Sequence, residues 1–323
     1  MVRALLAVLT AAVAASALPV AAQDYPNRPV SFIVPYAAGG TTDAMARLLG
    51  QKLEQRLGKP FVVENKPGAA TVIGAVAVAK SAPDGHTILY ATSTTMAINV
   101  TARKNLPYDP TKDLVPVALV AGIPFILVVN PALPVQSVDD LVALAKARPL
   151  SYGSNGYGGA GHLFMELFKS TTGVSSMTHV PYKGLAPALN DTVAGHVQVM
   201  FGDFSTTLPL VRAGRLRALG VSTAQRVAAA PEIPPLAEAG LPGFDASSWQ
   251  MIVAPGGTPR EIVGRLNAEL RAIVGDADVS KYLADNGIVP VVTAPPDELA
   301  AYVKSEIVRW GRIVEQAGAA GSE

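Results

Sequence analysis

A chain of 323 residues with 26 Lys and Arg against 25 Asp and Glu presents no basic excess to attract nucleic acid. Its complete lack of cysteine excludes disulfides, thiolate nucleophiles and cysteine-ligated metals. The length suits one large domain or two ordinary ones, and it can bury a core without covalent staples.

The first residues, MVRALLAVLTAAVAASALPVAAQ, place one charge at Arg3, an apolar run from Ala4 to Leu18, and small residues at Val20 and Ala22. This pattern predicts a secretory signal over 1–22, with the exported chain starting at Gln23. The run is shorter than the ~20 apolar residues a membrane span needs. Removing Arg3 leaves 25 cations against 25 acids, a net side-chain charge of zero.

From Pro29, PVSFIVPY reads as a strand, followed by the loop AAGG and a helix from about Thr42 to Leu57, with Met45, Leu48, Leu49 and Leu53 on its apolar face. Gly58 stops that helix. FVVEN, a helix over Thr71 to Lys80, and HTILYATS complete a β-α-β-α-β unit. The same order returns with LSYGSNGYGGAG, a helix from His162, SSMTHV, a loop and helix in PYKGLAPALNDTVAG, and HVQVMFGDFSTT. The repeated plan predicts an α/β protein of two lobes, each a mainly parallel sheet flanked by helices, with loops at the strand ends forming a mouth. DLVPVALVAGIPFILVVNP and FDASSWQMIVAPGGTP are the segments expected to cross between lobes. The helices Pro259 to Val274 and Pro296 to Gln316 then fall to the first lobe. The resulting division is 23–122 with 250–323 for lobe 1, and 123–249 for lobe 2. Two crossings make a hinge, so closure on a small molecule is expected.

Several motifs carry competing readings. Gly156, Gly158 and Gly161 spell G-x-G-x-x-G, but no acid follows the next strand, where Lys183 stands instead, so no dinucleotide is expected. Ser154, His162 and Asp203 could be drawn as a triad, but GSNG is not a nucleophile elbow and each residue has a simpler structural role. His86, His162, His179 and His196 show no ligand spacing, so no metal is expected. Asp43 and Arg47 form an ordinary i,i+4 pair, with Asp43 favouring the helix start. Trp249 and Trp310 read as core or hinge packing, while Tyr157, Phe201 and Phe204 would suit a flat ring if they faced the mouth.

The stretches YPNRPVSFIVPYAAGGTTDAMAR, VVENKPGAA, PDGHTILYATS, NLPYDPTKDLVPVALV, HVPYKG, LRALGVS and PPLAEAGLPGF with its following W and APGGTP resemble the solute-binding receptors of tripartite tricarboxylate transporters, the Bug or TctC type. The resemblance runs in order from Tyr25 to about Ala317. It implies a type II periplasmic binding protein fold, two α/β lobes joined by two hinge strands. It also implies a monomeric receptor that delivers a small organic acid to membrane permease subunits, with no cofactor and no catalysis. In such receptors the ligand carboxylate is held by amides, hydroxyls and water. Carried onto this chain, the expected ligand-binding residues are Tyr36, Gly39, Gly40, Thr41, Thr42, Ser93 and Thr94 in lobe 1, and Ser154, Asn155, Gly159, Ala160 and Asp203 in lobe 2. Thr71 departs from the family, which repeats glycine there. A serine hydrolase using Ser154 and a sensor receptor for the same ligands are the alternatives. The ligand could be a dicarboxylate, tricarboxylate, aromatic acid, amino acid or nicotinate-like compound.

Overall fold

The computed structural model describes residues 25–291 and 293–321, so the expected signal segment and the start at Gln23 lie outside the described residues. Short runs rich in Val, Ile, Phe and Tyr become strands, and segments with apolar residues three or four apart become helices. In chain order these are β1 (Val30–Val34), α1 (Thr41–Leu57), β2 (Phe61–Asn65), α2 (Val72–Ala79) and β3 (Thr87–Thr92). A π-helical turn (Thr94–Ile98) and the short α3 (Asn99–Ala102) follow, then β4 (Leu114–Ile123) and β5 (Phe125–Val129). The second unit comprises α4 (Val138–Ala147), β6 (Leu150–Ser154), α5 (Ala160–Thr172), β7 (Met177–Pro181), α6 (Leu185–Ala194), β8 (Val199–Asp203), α7 (Phe204–Arg212) and β9 (Arg217–Val221). The chain finishes with β10 (Ser248–Pro255), α8 (Arg260–Gly275), α9 (Ala277–Asp285), β11 (Val289–Pro290) and α10 (Pro296–Gln316).

α1 shows how sequence sets an element. Met45, Leu49 and Leu53 recur every four residues and are fully buried, so one face is committed to the core. Gly58, left-handed at φ 75°, ends the helix as its N–H closes on the Glu54 carbonyl.

The strands form two sheets, ordered β11-β4-β10-β3-β1-β2 and β7-β6-β8-β5-β9. In the first, β1 pairs in parallel with β2 and β3, and β10 runs antiparallel between β3 and β4. In the second, β6 pairs in parallel with β7 and β8, and β5 runs antiparallel between β8 and β9. Each sheet is therefore mixed. The repeated units supply its parallel strands, and β10 and β5, the strands next to the crossings, run against them.

The chain changes sheet at Pro124, between β4 and β5, and returns between β9 and β10. The boundaries expected at 122/123 and 249/250 lie inside β4 and β10. Because Ser248 pairs with Ile123 and Trp249 with Gly122, those ends stand in the first sheet. Ser222 ties the two crossings together. Its N–H donates to the Phe125 carbonyl at 2.8 Å, its hydroxyl accepts from the Phe125 N–H at 3.0 Å, and that hydroxyl donates to the Ala246 carbonyl at 2.5 Å.

The final helix does more than close lobe 1. α10 packs on β4, on the π-helical turn and on α5 of the second lobe. Trp310, fully buried, stacks on Phe164 of α5 with ring centroids 6.0 Å apart. One oxygen of the buried Glu306 carboxylate accepts from Trp249 at 2.6 Å and from Trp310 at 3.0 Å. Both tryptophans thus serve as packing between a crossing strand and the second lobe. From the sequence, no element is expected at α3, α4, α7, α9, β9 or β11.

Thr71, at the mouth of α2, sits at φ 79°, after Ala69 at 45° and Ala70 at 43°. Left-handed geometry costs an L-residue roughly 1 to 2 kcal/mol, and β-branching makes it worse. Asn99, buried, holds the loop by donating to the Ala70 carbonyl at 2.9 Å. Thr71→Gly is therefore expected to leave the melting temperature at or above that of the unsubstituted protein. The same change at Thr87 of β3 should cost about 1 kcal/mol, the usual penalty of glycine in an ordered strand. A drop of several degrees for Thr71→Gly in a thermal melt would show that the buried Thr71 side chain and its contact with Asn99 outweigh the strain.

Candidate functional site

β1 ends at Val34 and α1 begins at Thr41, so the loop between them is presented at the carboxyl end of a parallel strand. The buried Asp43 braces it. The carboxylate accepts from the Gly39 N–H at 3.1 Å, from Arg47 at 3.0 and 3.2 Å, and from the Asn65 amide at 3.0 Å. Asn65 also donates to the Tyr36 carbonyl at 3.0 Å. Burial pushes the Asp43 carboxyl up, but its hydrogen bonds from Arg47, Asn65 and Gly39, with the Arg47 charge, outweigh that and hold it below the usual range. Gly40 is the N-cap of α1 and has no side chain to cover the first amides.

The second lobe repeats this arrangement between β6 and α5. Gly159 is the N-cap of α5, again without a side-chain cap, and the Asn155 carbonyl oxygen takes the Gly161 N–H at 3.2 Å. At the end of β8, Asp203 caps α7, accepting from the Thr206 N–H at 3.1 Å and its hydroxyl at 2.5 Å.

These pieces meet around a cavity of about 30 Å3 between the lobes. Of the expected residues, Tyr36, Gly40, Thr41 and Thr42 line it from one side and Asn155, Ala160 and Asp203 from the other. The remaining five do not. Gly39 is turned into the Asp43 brace, Ser93 bonds to Ser248 at 2.8 Å, Thr94 is buried in the π-helical turn, and Ser154 and Gly159 hold the backbone of their own loop. A second compartment of about 210 Å3 shares Tyr36 and Asn155 with the first and extends along Gly68 to Thr71 and Tyr157. Burial pushes the Tyr36 hydroxyl up, against its hydrogen bond with Thr92 at 3.0 Å, so it stays protonated at neutral pH.

The lobes touch around the cavity. The Ala37 N–H donates to the Lys183 carbonyl at 3.1 Å, and the Thr41 and Ser205 hydroxyls bond directly. A space of this size holds only about two waters.

Sequence reasoning missed Gln250, whose carbonyl accepts from Tyr90 at 2.5 Å. That bond turns its NH2 toward Thr42, 3.3 Å away. A signal was present: WQMIVAP is apolar but for Gln250, and a period of two puts Ser248 and Gln250 on the same face. Among the described residues, no Lys or Arg lines this cavity.

The hydrolase alternative fails on geometry. Ser154 is fully buried and lies 2.6 Å from His179 Nε2, with neither His162 nor Asp203 as its partner. Its hydroxyl donates to the Gly156 carbonyl at 3.0 Å and accepts the Gly156 N–H at 3.1 Å, which leaves His179 as donor to it and not base. No group of three or more His, Cys, Asp or Glu among the described residues could hold a metal. Phe201 and Phe204 are fully buried and do not face the mouth; Phe201 stacks on Phe244 at 5.9 Å.

Asp43→Asn should lower stability at pH 7 by about 1.5 to 3 kcal/mol, the range for hydrogen bonds to a charged group. Because the folded carboxyl lies below its unfolded value, the contribution is complete above about pH 4 and is lost as pH falls through the folded value. Denaturant melts at stepped pH should show the two proteins converging below pH 4; a constant gap would contradict this brace.

The family model for the tripartite tricarboxylate transporter family receptor, TctC, matches residues 45–319. Protein BugT of Bordetella pertussis is 40% identical over 311 residues, covering 95% of each chain. Rpa4515 of R. palustris, solved with adipate, superposes with a TM-score of 0.88 at 40% identity, over 92% of this chain and 99% of that one. MatC (Rpa3494) from Rhodopseudomonas palustris, with bound malate, gives 0.85 at 34% identity, over 90% and 100%. This chain belongs to the tripartite tricarboxylate transporter receptor family, and it is a solute-binding protein, not an enzyme.

Proposed function

We propose that this protein is a monomeric periplasmic receptor that closes its lobes on a small organic carboxylate and presents it to the membrane subunits of a tripartite tricarboxylate-type transporter. The observation that carries the reading is the convergence of two glycine-capped helix starts, α1 and α5, on a cavity without a cationic side chain. The first amides of a helix have no partner within it, and the macrodipole adds about 0.3 to 1 kcal/mol toward an anion. Hydrogen bonds to an ionised carboxylate add roughly 1.5 to 3 kcal/mol each. The Thr41 and Thr42 hydroxyls and the Gln250 NH2 supply further donors. Asp203 accepts only, which favours a ligand whose second part carries a hydroxyl, an ammonium or a protonated acid. The adjoining compartment past Tyr36 and Asn155 suits a two-ended acid over a short one. Export to the periplasm rests on the N-terminal pattern, and relatives solved with adipate and malate support the ligand class.

A thermal-shift and calorimetry panel of adipate, malate, citrate, glutamate, nicotinate, acetate and propionate tests this. Ligand at 100 times its dissociation constant adds about 2.7 kcal/mol, several degrees in a chain of this size. Two-ended acids should give clear shifts and be recovered unchanged, with acetate and propionate silent. Gly40→Asp supplies the control. Gly40 is extended at φ −90° and ψ 171°, and a Cβ there meets nothing within 4 Å. The new carboxylate would cap α1 itself, worth a few tenths of a kcal/mol, and occupy the amides the ligand needs. Melting at or above the unsubstituted temperature with affinity at least tenfold lower is expected. Undiminished binding by Gly40→Asp would remove the α1 start from the site.

A further inference from the structure

Against the lobe-2 loop, two imidazoles stack with centroids 4.1 Å apart: His162 in the first turn of α5 and His179 in β7. Each ends on the loop. His162 Nδ1 accepts the Gly158 N–H at 3.1 Å. His179 Nε2 meets the Ser154 hydroxyl at 2.6 Å, and that hydroxyl accepts the Gly156 N–H at 3.1 Å. The loop so held carries Asn155 and Ala160 into the cavity. We propose that His162 and His179 are positioning residues for ligand binding, a stacked neutral pair that fixes the backbone of Ser154 to Ala160 against the cleft. The inference rests on the reading of that cleft as the carboxylate site.

His162 must be neutral to do this. An Nδ1 that accepts from an amide has no proton, so protonating His162 turns acceptor into donor and sets two N–H groups against each other. Tyr152 from β6 stacks on His179 at 4.9 Å, Tyr157 from the loop covers both rings, and Glu166 of α5 lies 4.0 Å from His162 Nε2. Lys169 holds Glu166 at 2.7 Å; the paired carboxylate still favours an imidazolium at His179, but burial and the His162 charge outweigh it. The C-terminal residues Ala317 to Ala319, which close the adjoining space of about 260 Å3, bring no ionisable side chain. Burial is the main force lowering both groups, with Lys169 adding to it for His162 and the His162 charge for His179. They fall to about 4 and about 3. Loop order is therefore complete at neutral pH and lost as pH falls through about 4.

Amide NMR of the 15N-labelled exported chain, followed from pH 7 to 3.5, tests the inference without a ligand. The Gly158 resonance should titrate with a midpoint near 4. In His162→Asn, where the amide oxygen takes the place of Nδ1 and does not titrate, that step should vanish while the Gly158 amide stays protected from exchange at pH 7. Calorimetry with adipate at pH 7 adds the functional arm: His162→Asn within about twofold of the unsubstituted protein, His162→Phe at least tenfold weaker. A Gly158 amide that does not titrate, or titrates alike in His162→Asn, overturns the inference. Equal adipate affinity in His162→Phe overturns it too. Failure of the unsubstituted protein to bind adipate or any other acid of the panel would count against the cleft as a carboxylate site, and the Gly158 titration would still decide whether the pair holds the loop.

Discussion

The first amides of an α-helix cannot be satisfied within that helix, and a chain must give them a side chain, water or a ligand. Here α4 and α7 receive side chains, Ser137 and Asp203. α1, α5 and α6 start on Gly40, Gly159 and Gly184, which have none to give, and α1 and α5 carry the loops that face each other across the cleft. Both of those starts meet at one cavity, and the rest of the fold can be understood as the means of bringing them there. Parallel strands set the two loops at the same end of each sheet, and the crossings set the sheets against each other.

Holding a donor array still without filling it is the harder requirement. In lobe 1 a charged group does it, since Asp43 is saturated by Arg47, Asn65 and Gly39 and so leaves no strong acceptor idle beside an incoming anion. In lobe 2 neutral groups do it, through Asn155, Ser154 and the histidine pair. The strain at Ala69, Ala70 and Thr71 is confined to the third loop at the mouth and is pinned by Asn99. Between lobes, α10 carries Trp310 onto Phe164, while Ser222 binds the crossings to each other. The proposed opening of the cleft would turn at this short hinge, and the aromatic contact on α5 would have to slide or part with it.

Much of this was legible in the sequence because it is local. Glycine pairs after apolar strands, the repeated β-α-β-α-β order and the apolar crossings are all contained in short windows. What escaped was set by register. Tyr152 and His179 become partners only because β6 pairs in parallel with β7, and that pairing delivers His179 to Ser154 and to the face of His162. Gln250 reaches the cavity because β10 is inserted between β3 and β4, which places it opposite Thr92. Ser93, Ser154 and Gly159 are expected at the site from the family resemblance, yet hydrogen bonds to Ser248, His179 and Gly156 turn them into support. β11 is only two residues long, and α9 follows α8 so closely, across Asp276, that its short apolar repeat at Val279, Tyr282 and Leu283 merges with that of the preceding helix.

The most direct measurement is a crystal structure of the protein with whichever acid of the panel binds it. The account predicts one carboxylate of the ligand within about 3 Å of the Thr41 and Thr42 N–H groups, its other end directed to Asn155 and Ala160, and no Lys or Arg side chain on the first carboxylate. A carboxylate paired with Lys183 or Arg47, with the start of α1 left to solvent, would contradict it.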